Sequence, residues 1–313
     1  MTQKKSIENT PISLLFIIIP TIMLIFGYLI YPYPPTYDSQ FIIRIILFIC
    51  LVLLGLGFII KHNTLGKKLK ITGWMLFSLY WSTQPQYLYH IEDGDLINAS
   101  ICVIGVYVLS YMAYHEWLSL KRKENISCLN WIAGACCLAG IIYFGIEFSP
   151  LELWLREVVA THSVWFLRTF TGEPVSQNGV YFMYKSASIL LIFACTAVQS
   201  MVIFVGIILP LKNVILKRKI IGLIVTILPI YFLNIFRNAM VAYLVGNNIT
   251  DFNMAHNYIA KGGSLIALVV LLFILIKIIP EVFDEIIAIT DLPKRNGPIE
   301  KIFNKWLLEG KKI

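Results

Sequence analysis

The chain has 313 residues, 58% of them hydrophobic and 14% charged, with a mean hydropathy of +0.75. So apolar a composition excludes a soluble domain built around one core and defines a polytopic membrane protein. The net charge of +8 does not mark a nucleic-acid surface, because the lysines flank apolar runs instead of clustering on one polar face; they are topology signals, and no nucleic-acid partner is expected.

A helix rising about 1.5 Å per residue needs roughly 20 apolar residues to cross about 30 Å of hydrocarbon. Eight segments qualify: 12–31, 41–60, 71–89, 97–118, 129–148, 186–209, 220–246 and 263–279. The first is longer than the core of a cleaved signal, and no small-residue cleavage site follows it, so it reads as a retained helix. The third is the least regular, since its second half, WSTQPQYLYH, is polar and contains Pro85; a broken or partly interfacial helix is expected there. The connection from Ser149 to Lys185 carries a helical stripe of Leu151, Trp154, Leu155, Val158 and Trp165, which predicts an amphipathic helix in the membrane interface. The sixth segment, SASILLIFACTAVQSMVIFVGIIL, reads as one spanning helix with Cys195 in its outer half. The expected fold is all-α, with about eight transmembrane helices and an interfacial helix on the outer side. Residues 1–279 form the membrane domain, 186–279 its catalytic part, and 280–313 an amphipathic cytoplasmic tail.

Basic residues in short loops mark the cytoplasmic side. With the N-terminus inside, 20 of the 26 lysines and arginines fall on the inner side, and the exceptions are Arg44, Arg156, Arg168, Lys185, Arg237 and Lys261. Both termini are then cytoplasmic. The six cysteines lie within or at the edges of apolar segments, which argues against a disulfide framework.

Three residues carry candidate chemistry. Arg237, in LNIFRNAMVAYL, lies about nine residues inside an apolar span, where a charge costs about 2.5–3.5 kcal/mol on insertion scales. Asn234 and Asn238 share its polar stripe and are expected to compensate it. Cys195 and Arg237 sit at similar depth on antiparallel neighbours, and His256 follows in the next outer connection, so the three converge on the outer leaflet. A thiol must become a thiolate to attack a carbonyl, which a nearby cation favours. Arg237 can stabilise the thiolate or an oxyanion whatever the pH, and a histidine can move protons to a leaving amine and from an incoming nucleophile. Gln199, one helical turn from Cys195, is a candidate positioning donor. Each residue also has a plainer reading: a cysteine as a small core residue, an arginine satisfied by asparagines and carbonyls, a surface histidine. No metal or cofactor is implied.

The stretches ACTAVQSMVIFVG, LNIFRNAMV and AHNYIAKGGSLIALV, in this order, resemble the exosortase and archaeosortase membrane transpeptidases, with the archaeosortases the nearer branch. The resemblance covers about the last 130 residues and includes a third basic position that is His or Arg, filled here by His256. It implies a cysteine acyl-enzyme that cleaves a C-terminal sorting signal, of Pro-Gly-Phe type, from exported proteins and passes the new C-terminus to a lipid-linked acceptor. The competing reading is a transporter or channel in which Arg237 binds an anionic substrate and Cys195 only packs. A site confined to one leaflet and the lack of paired broken helices count against transport, and selective thiol labelling of Cys195 distinguishes the two.

Overall fold

The computed structural model describes residues 10–61, 63–90 and 96–309. Lys4, Lys5, Lys311 and Lys312, and with them both chain ends, lie outside the described residues. Among the described residues six helices are long and apolar enough to cross a membrane: Pro11–Ile30, Tyr37–Ile60, Asn98–Arg122, Ser127–Glu147, Leu216–Gly246 and Met254–Ile278. The third and sixth segments read from the sequence depart from the eight expected.

The third is shifted and broken. Helix α3, Thr64–Ser82, starts where Asn63 caps it by accepting the Gly66 amide at 2.7 Å, and α4, Gln84–His90, follows with Pro85 at its start. Proline fits a first helical turn and disfavours helix in the residue before it, so the break at Thr83 is written into the sequence. The earlier start brings Lys67 and Lys70 into the helix as buried residues. Lys70 pairs with Glu116 at 2.7 Å, and Lys67 donates to the carbonyls of Ser119 and Glu124 at 3.4 and 2.6 Å. Two of the twenty basic residues assigned to the inner side are thus core residues.

The sixth segment is not a helix along its length. Residues 187–190 form a strand, 193–196 a single 3₁₀ turn, and only Val198–Ile208 is α-helical. An apolar run of this size is ambiguous between strand and buried helix by periodicity alone, and the Leu, Ile and Phe residues of 189–193 accept either. The fold therefore adds a small sheet to the expected all-α architecture.

The chain forms two compact units, Met1–Cys137 with Glu285–Ile313, and Leu138–Asp284. The first packs α1 (Thr10–Ile30), α2 (Tyr37–Ile60), α3, α4 and α5 (Leu96–Arg122). Close approach of α2 and α3 needs Gly57, where a Cβ would lie 2.4 Å from the Lys70 side chain. The tail of this unit is helical and docked: in α12, Pro298–Glu309, Glu300 accepts hydrogen bonds from Tyr111 at 2.6 Å and Tyr114 at 3.0 Å and meets His115 at 3.4 Å.

The second unit, into which α6 (Ser127–Glu147) leads, holds the expected catalytic part. Helix α7, Leu151–Thr171, is present as expected, but it buries Val159, Ala160, Ser163, Val164 and Leu167. Of the expected stripe, Trp154 is 56% and Trp165 64% exposed, while Leu155 and Val158 are partly buried, Leu155 against the cluster around Phe193. After α7 the chain makes a meander of β1 (Ser176–Asn178), β2 (Tyr181–Tyr184) and β3 (Ala187–Leu190), in that order across the sheet. Phe182, Tyr184, Ala187 and Ile189 point into a core shared with α7 and with α9, Leu216–Gly246. Helix α8 is Val198–Ile208; a π-helical turn over Met254–Ala260 opens α10, Lys261–Ile278.

Candidate active site

Cys195 lies in the turn between β3 and α8. Its amide donates to the Ile192 carbonyl at 2.9 Å, and the Thr196 hydroxyl donates to the Phe193 carbonyl at 2.7 Å while accepting the Val198 amide at 3.4 Å. Ala197 then adopts a left-handed conformation, φ +61°, which separates the turn from α8. Phe193 seats the turn against Tyr143 with ring centroids 5.2 Å apart. From α7, Arg156 donates through Nε to the Leu191 carbonyl at 2.7 Å and through its guanidinium to Glu152 at 3.0 Å, which fixes the entry to the turn.

The strongest hold comes from α9. The side-chain amides of Asn234 and Asn238, one turn apart and only 4% and 6% exposed, both donate to the Cys195 carbonyl, at 2.8 and 3.1 Å. This corrects the expectation that they compensate Arg237. Their donors are turned to the nucleophile's own backbone, because the broken segment leaves that carbonyl outside any helix.

Arg237, between them in sequence, is left with a buried Nε that has no hydrogen-bond partner among the described residues. Its guanidinium interacts electrostatically with the Cys195 thiol and with His256. Elsewhere round α9, Ala239 and Ala242, both buried, let the core come close. His256 sits in the π-helical turn, half-buried and stacked on Phe252 with centroids 5.2 Å apart. Such turns interrupt the regular ladder and re-aim side chains, often at functional sites. The Asp251 carboxylate accepts the Met254 amide at 2.7 Å and anchors the start of the turn.

Of the three expected residues, Arg237 is the one within electrostatic range of both Cys195 and His256. Gln199 does not join them in the expected way: it is exposed on α8, and Ala197 removes the continuous helical face that it was expected to share with Cys195. Two further contacts escaped the sequence reading. His162 of α7 meets the Tyr231 hydroxyl of α9 at 2.6 Å, bridging the two helices one turn from Asn234, and Arg156 holds Leu191 as above. Both link residues far apart in sequence; Arg156 signalled only its local pair with Glu152.

The described arrangement is a buried free thiol whose backbone is held by a polar stripe inside an apolar helical assembly. The transmembrane exosortase family model matches residues 15–276, and the chain belongs to that family. Archaeosortase A of Haloferax volcanii is 22% identical over 267 residues, covering 72% of this chain and 85% of the relative. Archaeosortase A of Natronomonas pharaonis is 24% identical over 259 residues, covering 72% and 80%. No solved structure matches the chain. The family role is that of a membrane sorting transpeptidase, and transport is not the class to which the chain belongs.

Proposed function

We propose that this protein is a cysteine transpeptidase that cleaves a C-terminal sorting signal of Pro-Gly-Phe type from exported proteins and transfers the new C-terminus to a lipid-linked acceptor. The observation that carries this reading is the buried, unpartnered Nε of Arg237 beside Cys195. A buried donor without an acceptor costs about 1–3 kcal/mol, and an oxyanion formed at the thiol would supply the missing acceptor.

The Cys195 thiolate attacks the scissile carbonyl, whose oxygen becomes an anion stabilised by Arg237. Collapse breaks the C–N bond, leaves a thioester, and sends a proton from His256 to the departing amine. An acceptor nucleophile then gives its proton to His256 and attacks the thioester, releasing the Cys195 thiolate. Asn234 and Asn238 hold the turn so that the sulfur does not drift, since a misplacement of about 1 Å costs on the order of 100-fold. An excess of basic residues on alternate sides of the apolar segments supports a site toward the outer face and cytoplasmic termini, the orientation that exported substrates require.

The test is co-expression with an exported protein carrying a C-terminal Pro-Gly-Phe motif, an apolar segment and a basic end, followed by mass analysis of its C-terminus. A truncated C-terminus bearing a lipid mass is expected with the wild type and none with Cys195→Ala. Equal processing by Cys195→Ala overturns the proposal, and a truncated C-terminus with no added mass reduces it to hydrolysis.

A further inference from the structure

The sheet leading into the Cys195 turn ends on a strand whose outer edge has no strand beside it among the described residues. In the order β1-β2-β3, β3 is an edge, with Tyr184 opposite Ala187 and Phe182 opposite Ile189. Leu191 continues the ladder by donating to the Val180 carbonyl at 3.0 Å. In an antiparallel pair, residues alternate between those whose backbone groups face the partner and those whose groups face away. Residues 187, 189 and 191 face β2 across a two-residue turn, so the amide and carbonyl groups of Ser188 and Leu190 are directed to the free edge. Both residues are exposed, and the edge ends five residues before the thiol.

Strand edges exposed to apolar surroundings are liabilities that proteins cover, shorten or use. Here the edge sits beside a site whose substrate is a peptide at a membrane. Such a peptide must find partners for its own amides and carbonyls, because hydrocarbon supplies none. We infer that the substrate binds as an added strand on β3, its backbone paired with Ser188 and Leu190, so that the sheet delivers the scissile carbonyl to Cys195. This rests on the reading of Cys195 as the nucleophile of peptide cleavage. At about 3.3 Å per residue, the few residues between Leu190 and Cys195 set how far along the substrate the cut falls. Recognition by main-chain pairing also accommodates varied side chains, with specificity left to the few that fill pockets.

Disulfide trapping tests the mode of binding without requiring turnover. In a Cys195→Ala background, Ser188→Cys should form a disulfide with a synthetic peptide carrying Pro-Gly-Phe, an apolar segment and one cysteine, since facing residues of paired strands fall within disulfide reach. Moving the cysteine along the peptide should give trapping at alternate positions, and Ser176→Cys, on the opposite edge, should trap none. No trapping, equal trapping at both edges, or a covalent dimer of Ser188→Cys formed in preference to the peptide adduct overturns the inference. In the active enzyme, Leu190→Pro removes one outward amide that β2 does not use. It should raise KM about five-fold or more, the value of one backbone hydrogen bond, with kcat and Cys195 alkylation near wild type; an unchanged KM overturns the inference. Processing by Cys195→Ala would instead sink the proposed chemistry and leave the trapping result standing by itself.

Discussion

Removing the two asparagines that hold the Cys195 carbonyl, singly and together, probes what positions the thiol. Asn234→Leu and Asn238→Leu keep approximate volume in an apolar span and delete one donor each. The carbonyl accepts from both, at 2.8 and 3.1 Å, so each single variant leaves it one partner. The loss per single variant is about 1 kcal/mol, or about five-fold in processing. If the effects simply multiplied, the double variant would lose about 25-fold. It will lose more, because it alone leaves the carbonyl buried without a partner, and a coupling of at least about 1 kcal/mol brings the loss beyond 100-fold. Processing of a co-expressed substrate and the rate of Cys195 alkylation are measured together, with membrane abundance as the control. A double variant that is well inserted and within ten-fold of wild type, or one that matches the product of the singles, refutes the carbonyl clamp.

Arg237→Lys keeps a positive charge but loses the planar fork of donors, and processing should fall by about 100-fold or more with normal insertion; activity within a few-fold of wild type removes the guanidinium from catalysis. Cys195→Ala should abolish processing while Cys102→Ala and Cys136→Ala leave it largely intact, read from the substrate C-terminus at matched abundance. Asn178→Cys, exposed at the end of β1, should react with an impermeant maleimide on intact cells; reaction only after lysis would put the site on the inner side. For Glu300, burial raises the pKa, but hydrogen bonds from His115, Tyr111 and Tyr114 outweigh it and hold the carboxyl at about 2 against an ordinary 4.5. A depressed carboxyl pKa stabilises above the unfolded value and loses that contribution as pH falls toward the folded one. Detergent-solubilised wild type should therefore lose thermal stability between about pH 4.5 and 2 more steeply than Glu300→Gln, and parallel profiles would contradict this.

Most spanning helices were legible because length and hydropathy decide them, and Arg237 was legible because a charge in an apolar span demands an explanation. The departures have one physical source. Hydropathy records how apolar a stretch is and is blind to where its backbone hydrogen bonds go. Residues 186–209 are apolar enough for a span, yet their first part bonds across a sheet and Cys195 bonds to a helix about 40 residues on. Lys67 and Lys70 look like loop charges in the sequence because their partners, Glu116 and the carbonyls of Ser119 and Glu124, lie on α5 or just beyond it. In α7 the apolar stripe is the legible side, whereas the face that packs is lined by smaller residues such as Ala160 and Ser163, which let α9 and the sheet approach. The expectation that Cys195, Arg237 and His256 come together rests on topology; the asparagine clamp does not follow from it, since any asparagine near an arginine on a helix invites local pairing.

The break at Ala197 has an electrical consequence as well. In an uninterrupted span the Cys195 carbonyl would accept the Gln199 amide, and no helix end would lie near the thiol. With the turn pulled aside, α8 begins at Val198, and its first amides, at Gln199 and Ser200, have no carbonyl one turn earlier in the helix. The dipoles of the 11 residues of α8 add up to roughly half a positive charge at that end, three residues along the chain from Cys195 and carried by no side chain. A stretch whose composition reads as inert lipid-spanning helix thereby gains a fixed cationic pole within the membrane, which no substitution of side chains at Gln199 or Ser200 removes while α8 keeps its start.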